Sequence, residues 1–292
     1  MRIIEHELPQ DHQIIFHSCW HEGSVLKYQK VIDQIIEEIV SVPNTYLVHL
    51  GDWAEALLID DPRYNPEADE GYSPLKQYQT IKHQIAPIRD KILVALHGNH
   101  DKRLFKFGNL VRDYLCFDPN DPEEITPIPY GTFACKIIIK NQYGIAYKIY
   151  ATHGRKSISS AADDPARNAV NRQLILKRHL KNKAGDCLFM VKGHNHQLIS
   201  LPPAQGLYLT NHGTKLEQNY TGSWLLSSIF VHPDFRFYAG VGCAYRTFAD
   251  PELEIPTSSY AEEADYDPVE LGYLRATIRG PRVVGWERVV VG

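Results

Sequence analysis

The sequence predicts an α/β protein, and three features carry that prediction. Short apolar runs alternate with helical repeats up to Asp101. The runs are apolar throughout, as strands covered on both faces are. Each ends in a turn built from glycine, histidine, aspartate or asparagine.

Taken in order, "HQIIFHS" reads as a strand. Ser24 is placed to cap a helix in which Tyr28, Val31, Ile32, Ile35, Ile36 and Ile39 recur at helical spacing until "VPN" stops it. "TYLVHLGD" is the next strand, and a loose acidic stretch with prolines follows from Asp60 to Ser73. A helix is expected near Leu75 to Ile88, and "KILVALHGNHD" gives a third buried strand. This βαβαβ opening favours a parallel sheet. Further on, "GTFACKIIIK" and "YGIAYKIYATHG" read as a hairpin turning at Asn141 to Gly144. One helix follows, with Asp164 as N-cap and Pro165 at its first position, ending near "KNKAGD". "DCLFMVKGHNH", "GLYLTNHG" and "SWLLSSIFV" read as strands. After an acidic segment from Asp250 to Glu270 come two more, "YLRATI" and "RVVGWERVVV". No linker divides the chain, so one domain over residues 1–292 is expected.

Composition sets bounds on function. With 292 residues, 43% hydrophobic and 23% charged, the chain can bury a large core and has no signature of disorder. A formal net charge of -4 argues against coating nucleic acid by bulk charge. No apolar run approaches the roughly 18 residues of a membrane helix, and "MRIIEHELPQ" lacks the apolar core of a signal peptide, so a cytoplasmic location is expected. The five cysteines are scattered and form no CxxC pair, which argues against a disulfide framework or a zinc knuckle.

The chemistry-bearing residues sit where strands end: His17, Cys19 and His21; Gly51 and Asp52; Gly98, Asn99, His100 and Asp101; Thr152, His153 and Gly154; Gly193, His194, Asn195 and His196. In open α/β sheets, sites form outside the carboxyl ends of strands, so these five loops can converge on one crevice. Imidazole, carboxylate, amide oxygen and thiol together suit divalent transition metals, and a carboxylate can bridge two ions. If a strand's alternation continued through His17, Cys19 and His21, all three would share one face.

The series H-x-C-x-H, "GDWAE", "GNHD", "THG", "GHNH" resembles the five signature blocks of the calcineurin-like metallophosphoesterases, in family order, from Ile14 to His196. The resemblance implies a four-layer α/β/β/α sandwich of two mixed sheets flanked by helices. It also implies two divalent ions (manganese, zinc or iron) and hydrolysis of phosphate mono- or diesters by a bridging hydroxide. Carried onto this chain, it makes His21 and His196 ligands of one metal, Asp52 the bridge, and Asn99, His153 and His194 ligands of the other. His100 becomes the general acid. Asp101 is expected to orient His100, and Asn99, His100 and Arg103 to contact the substrate. Lys102, beside Arg103, is a further candidate for phosphate contact.

The departure lies in "HSCWH". The family has Asp-x-His there, so Cys19 stands where the first aspartate belongs. Two readings follow: Cys19 is a thiolate ligand of the first metal, or it is a buried thiol, with the first site weakened or supplied by His17 instead. His49, His97 and His212 are read as hydrogen-bonded structural residues. The basic run Arg167, Arg172, Lys177, Arg178, Lys181 and Lys183 is a solvated helix face or a contact for nucleic acid. The expected partner is a phosphate-ester substrate, with nucleic acid or nucleotide among the candidates and no membrane. A nuclease resembling the DNA-repair exonucleases of the superfamily is the alternative function, and a non-catalytic binding module on a phosphoesterase fold is the other.

Overall fold

The computed structural model describes residues 1–67, 71, 73–117, 127–222, 224–249, 252, 258 and 260–292. Most of the acidic Asp250 to Glu270 segment before Tyr260, and part of the Asp60 to Ser73 stretch, lie outside the described residues.

Two mixed sheets stack face to face. The first carries β2 (His12–His17), β3 (Thr45–His49) and β4 (Ile92–Ala95), parallel as the βαβαβ pattern predicts, and is extended by β12 (Gly272–Arg279) and β13 (Arg282–Val290) in the order β13-β12-β2-β3-β4. The second has the order β1-β5-β6-β7-β11-β8, from β1 (Arg2–Glu7), β5 (Ala134–Asn141), β6 (Gly144–Thr152), β7 (Phe189–Lys192), β8 (Leu198–Leu201) and β11 (Phe237–Val241). The hairpin of β5 and β6 turns where expected, and β6, β7 and β11 run parallel.

Each sheet has one face on a shared apolar layer that includes Phe16, Val48, Val94, Ile137, Ile149, Phe189, Ala239 and Ala276. The outer face of the first sheet is covered by α1 (Gln29–Ser41) and α2 (Pro74–Ile85), whose Ile32, Ile35, Ile39, Tyr78 and Ile81 pack on Ile15, Leu47 and Ile92. That of the second is covered by α4 (Pro165–Leu180) through Leu176 and Leu180 against Tyr150, Met190 and Tyr238. The short α3 (Asn99–Arg103) follows β4. Helix, sheet, sheet and helix make four layers. Among the described residues no helix is long and apolar enough to cross a membrane.

Two local expectations change. Ser24 does not cap α1: the helix begins at Gln29, and the Tyr28 N–H donates to Ala244 O at 2.7 Å, so the approach to the helix is held by a distant loop. Asp164 does cap α4, its Oδ1 accepting Arg167 N–H at 2.7 Å. "SWLLSSIFV" is not a strand: Trp224 makes one isolated bridge to Arg282 and Ile229 is 97% exposed. An apolar run becomes a strand only with a neighbour to pair, and "FYAGV" takes the place beside β7 instead. "GLYLTNHG" forms β9 (Leu207–His212), which pairs only with β10 (Lys215–Tyr220) in a separate exposed ribbon. All five cysteines are free and buried.

Candidate metal centre

Because β2, β3 and β4 are mutually parallel, and β6 and β7 likewise, the loops after them gather at common sheet ends. The backbone there breaks sharply from strand geometry. Cys19, His21, Asp52, His194 and His196 all have left-handed φ, of 59, 52, 56, 72 and 55°. For non-glycine residues such a conformation costs about 1 kcal/mol or more each, and it persists only where surrounding bonds over-determine it. Those bonds are present: Cys19 N–H to Gly51 O (2.9 Å), Trp20 N–H to Asp52 O (2.9 Å), Glu22 N–H to Trp53 O (3.0 Å) and Gly193 N–H to Thr152 O (3.0 Å). Cys19 and His21 therefore reach the centre through turns, not through the strand alternation expected of them.

Asp101 is buried and accepts from the turn that carries Asp52. Its Oδ2 takes Asp52 N–H (2.8 Å) and Gly98 N–H (2.7 Å), and its Oδ1 takes Trp53 N–H (3.2 Å) and Tyr78 O–H (2.6 Å). The expected role of orienting His100 does not match these bonds, because both oxygens are already committed. Gly98 is required by close approach: a Cβ there would lie 2.0 Å from Asp52 Oδ1.

Around this frame the donors meet. His153 Nδ1 faces Leu50 O at 2.7 Å, which commits that proton and turns Nε2 towards Asn99 Oδ1 (2.9 Å) and Asp52 Oδ2 (3.1 Å). Three lone-pair atoms face one another, an arrangement that needs a cation or a shared proton between them. The other Asp52 oxygen accepts His100 N–H at 2.8 Å. His21 Nε2 and His196 Nε2 stand 3.3 Å apart, and the His194 ring lies 5.1 Å from that of His153. Among the described residues, three groups offer ligand atoms within 4.8 Å of one another: Cys19, His21 and His196; Cys19, Asp52 and His153; His21, Asp52 and His100. His17 is in none of them. Its Nδ1 accepts Trp20 Nε1–H at 2.8 Å, and it packs beside His49. His49 stacks on Trp53, His97 bonds Tyr130 Oη at 2.6 Å, and His212 sits in the exposed ribbon.

The charges are strongly coupled. Burial works to raise Asp52, but His153, His100 and His21 outweigh it and hold the carboxyl far below its usual range. Burial, with His21 beside one ring and His153 beside the other, keeps His196 well down and His194 at about 3, so both imidazoles carry free lone pairs near neutral pH. Burial and the Asp52 charge push the Cys19 thiol up. Burial holds His100 at about 4 against the pull of Glu55 and Asp52.

Two residues were not among the sequence-level candidates. Glu55 Oε2 accepts His21 Nδ1–H at 2.6 Å, and its backbone oxygen accepts His100 Nδ1–H at 2.7 Å, so one residue fixes both rings. Burial would raise Glu55, yet His100 and His21 hold it at about 2. Its signal was the carboxylate of "GDWAE", one helical turn past Asp52. Glu55→Gln is expected to weaken metal binding or activity by about 10- to 100-fold through loss of the partner that orients His21. Metal titration checks this, and unchanged affinity together with unchanged turnover would remove the role. The second is Tyr245, whose ring packs 4.5 Å from His21 and 5.4 Å from His196. It comes from the loop after β11, held to the Cys19 turn by Ala244 N–H to Cys19 O at 3.1 Å, and no local pattern marks it.

A family model described as calcineurin-like phosphoesterase matches residues 12–226. The chain belongs to that family. No curated protein matches it. Calcineurin-like phosphoesterases are metal-dependent, and this donor set fits the requirement: imidazoles, a thiol, an ionised buried carboxylate and an amide oxygen converge from separate strand ends. Tyr245 lies beyond the matched stretch.

Proposed function

We propose that this chain, acting as a single domain over residues 1–292, hydrolyses phosphate mono- or diesters with His21, Cys19 and His196 holding one divalent ion, Asn99, His153 and His194 a second, and Asp52 shared between them. The observation that supports this most directly is the approach of Asn99 Oδ1 (2.9 Å) and Asp52 Oδ2 (3.1 Å) to His153 Nε2, with His153 Nδ1 turned to Leu50 O. When bound, the two ions supply charge to neutralise phosphate oxygens and to activate water. Cys19 in place of an oxygen ligand biases its ion towards zinc or iron.

The remaining work falls to side chains. Glu55 holds His100 by Nδ1, so Nε2 is the nitrogen that, once protonated, can pass a proton to the leaving oxygen. Arg103 lies against the same ring, with Nη1 3.1 Å from Nδ1 and Nη2 3.5 Å from Nε2, where a guanidinium can take a phosphate oxygen. Asp52 Oδ1, by accepting His100 N–H, ties the start of α3 to the donor cluster, so the proton carrier and the donors keep one spacing.

The test is leaving-group dependence. His100→Gln is expected to lower turnover of an alkyl phosphate by on the order of 10² to 10⁴, and that of a nitrophenyl ester much less, because nitrophenolate leaves without a proton. Metal content by mass spectrometry should stay near wild type. Equal losses on both esters would give His100 a positioning role instead, and no metal-dependent turnover of any phosphate ester would end the enzymatic reading.

A further inference from the structure

A second cluster of charge borders His100, and of its members only Arg103 has a part in the reaction as described. Arg63 binds both oxygens of Asp61, Nε to Oδ1 at 3.0 Å and Nη2 to Oδ2 at 2.9 Å. Arg103, already against His100, brings its Nε within 3.4 Å of the same Asp61 Oδ2. Two guanidiniums thus share one carboxylate. The neighbouring Asp60 cannot supply the missing charge, because it pairs with Lys106 at 3.1 Å. Glu55 acts on Arg103, but its carboxylate is already turned to His21 and His100. The side chains of Arg103 and Asp61 are only 15% and 13% exposed, and that of Arg63 is 37% exposed, so solvent screens the excess charge poorly on one side and reaches it on the other.

We propose that Arg63 and Arg103 form a subsite for an anionic group on the leaving side of the scissile ester, so that the substrate's leaving alcohol itself bears a phosphate or carboxylate. This rests on the phosphoesterase reading above. The leaving oxygen meets His100, and whatever lies beyond that oxygen next meets the guanidinium resting on His100 and the one joined to it through Asp61. Arginine suits the task, because its planar fork can bind Asp61 on one edge and a second anion on the other. With a monoanion seated, the two guanidiniums face two anions; with a neutral alcohol they share Asp61 as their one closely paired carboxylate among the described residues. Arg63 is the specificity-determining member, since Arg103 also touches His100.

The test uses two probes that cannot be hydrolysed, benzylphosphonate and carboxybenzylphosphonate with the carboxyl at the meta or para position, bound to the manganese-loaded protein and followed by calorimetry. The carboxyl group is expected to tighten binding about fivefold to tenfold, an effect of the size of a half-screened ion pair, and to lose most of it in 0.5 M salt. Arg63→Ala is expected to abolish the preference and Arg63→Lys to keep part of it, which loss of a merely structural contact would not do. In turnover, the ratio of kcat/KM for carboxyphenyl phosphate over phenyl phosphate should fall in Arg63→Ala through KM. Equal affinity of the wild type for the two phosphonates, or a carboxyl preference that survives Arg63→Ala, would overturn the subsite. Intact preference without turnover of either ester would support the subsite and defeat the phosphoesterase reading instead.

Discussion

Asp52→Asn is expected to lower kcat/KM for any phosphate ester by about three orders of magnitude or more, with the fold intact and the metal largely lost. The shape survives because asparagine tolerates the left-handed backbone that residue 52 adopts, at φ 56°, and its amide oxygen can still accept His100 N–H. What changes is the facing atom. In place of Oδ2, the substitution sets an NH₂ group 3.1 Å from His153 Nε2, where it can donate to that nitrogen. The cluster of lone pairs that calls for a cation would then be satisfied by protein alone. Metal content, thermal melting and kinetics on one preparation check all three parts, and turnover near wild type would defeat the assignment of Asp52 as the shared ligand.

Asp101→Asn is expected to cost stability, about 3–5 kcal/mol, which is large for a single isosteric change. Every close partner of Asp101 is a donor: four backbone N–H groups, that of Ala54 the longest at 3.5 Å, and the Tyr78 hydroxyl. An amide can accept on one oxygen only, and its NH₂ would oppose either the pair from Asp52 and Gly98 or the pair from Trp53 and Tyr78. Buried donors left unpaired carry their full desolvation cost. Because those donors shape the turn that holds Asp52 in its left-handed conformation, activity should fall together with stability. A melting temperature lower by about ten degrees would support this reading. An unaltered melting curve with a loss confined to poor leaving groups would return Asp101 to the role of orienting His100.

The five strand-end blocks were legible because each joins a short-range signal, an apolar run meeting a turn, to side chains that ligate metals. Order along the chain then did what no single histidine could. The path of the backbone was less legible. His17, Cys19 and His21 alternate in sequence, and alternation in a strand predicts a common face, yet β2 stops at His17 and the next residues turn left-handed. His17 consequently serves Trp20 while its neighbours serve the centre. Glu55 was overlooked although its signal is local, since a carboxylate three residues past Asp52 carries no motif of its own. Tyr245 could not be found, because its place depends on a loop pairing with the Cys19 turn across almost the whole chain. The false strand at "SWLLSSIFV" and the omission of β1, β8 and β11 share a cause: short apolar runs are equivalent until a partner strand chooses among them.

The way the two sheets are stitched together bears on how the chain acquires its structure in time. β1 lies beside β5, with Arg2 opposite Cys135, so it must wait for a hairpin more than a hundred residues later. β2 is flanked on one side by β3 and on the other by β12, with Leu274 opposite Phe16, and β7 has as its second neighbour β11. A nascent chain that has reached residue 226 therefore already holds every block of the signature, yet it still presents β2 and β7 as bare edges. Such pairings of distant segments close large loops before any contact rewards them, which slows folding and prolongs exposure of unpaired edges. Completion of either sheet, and arrival of Tyr245 beside His21, thus waits until residues 237–290 have been made and supply the missing neighbours.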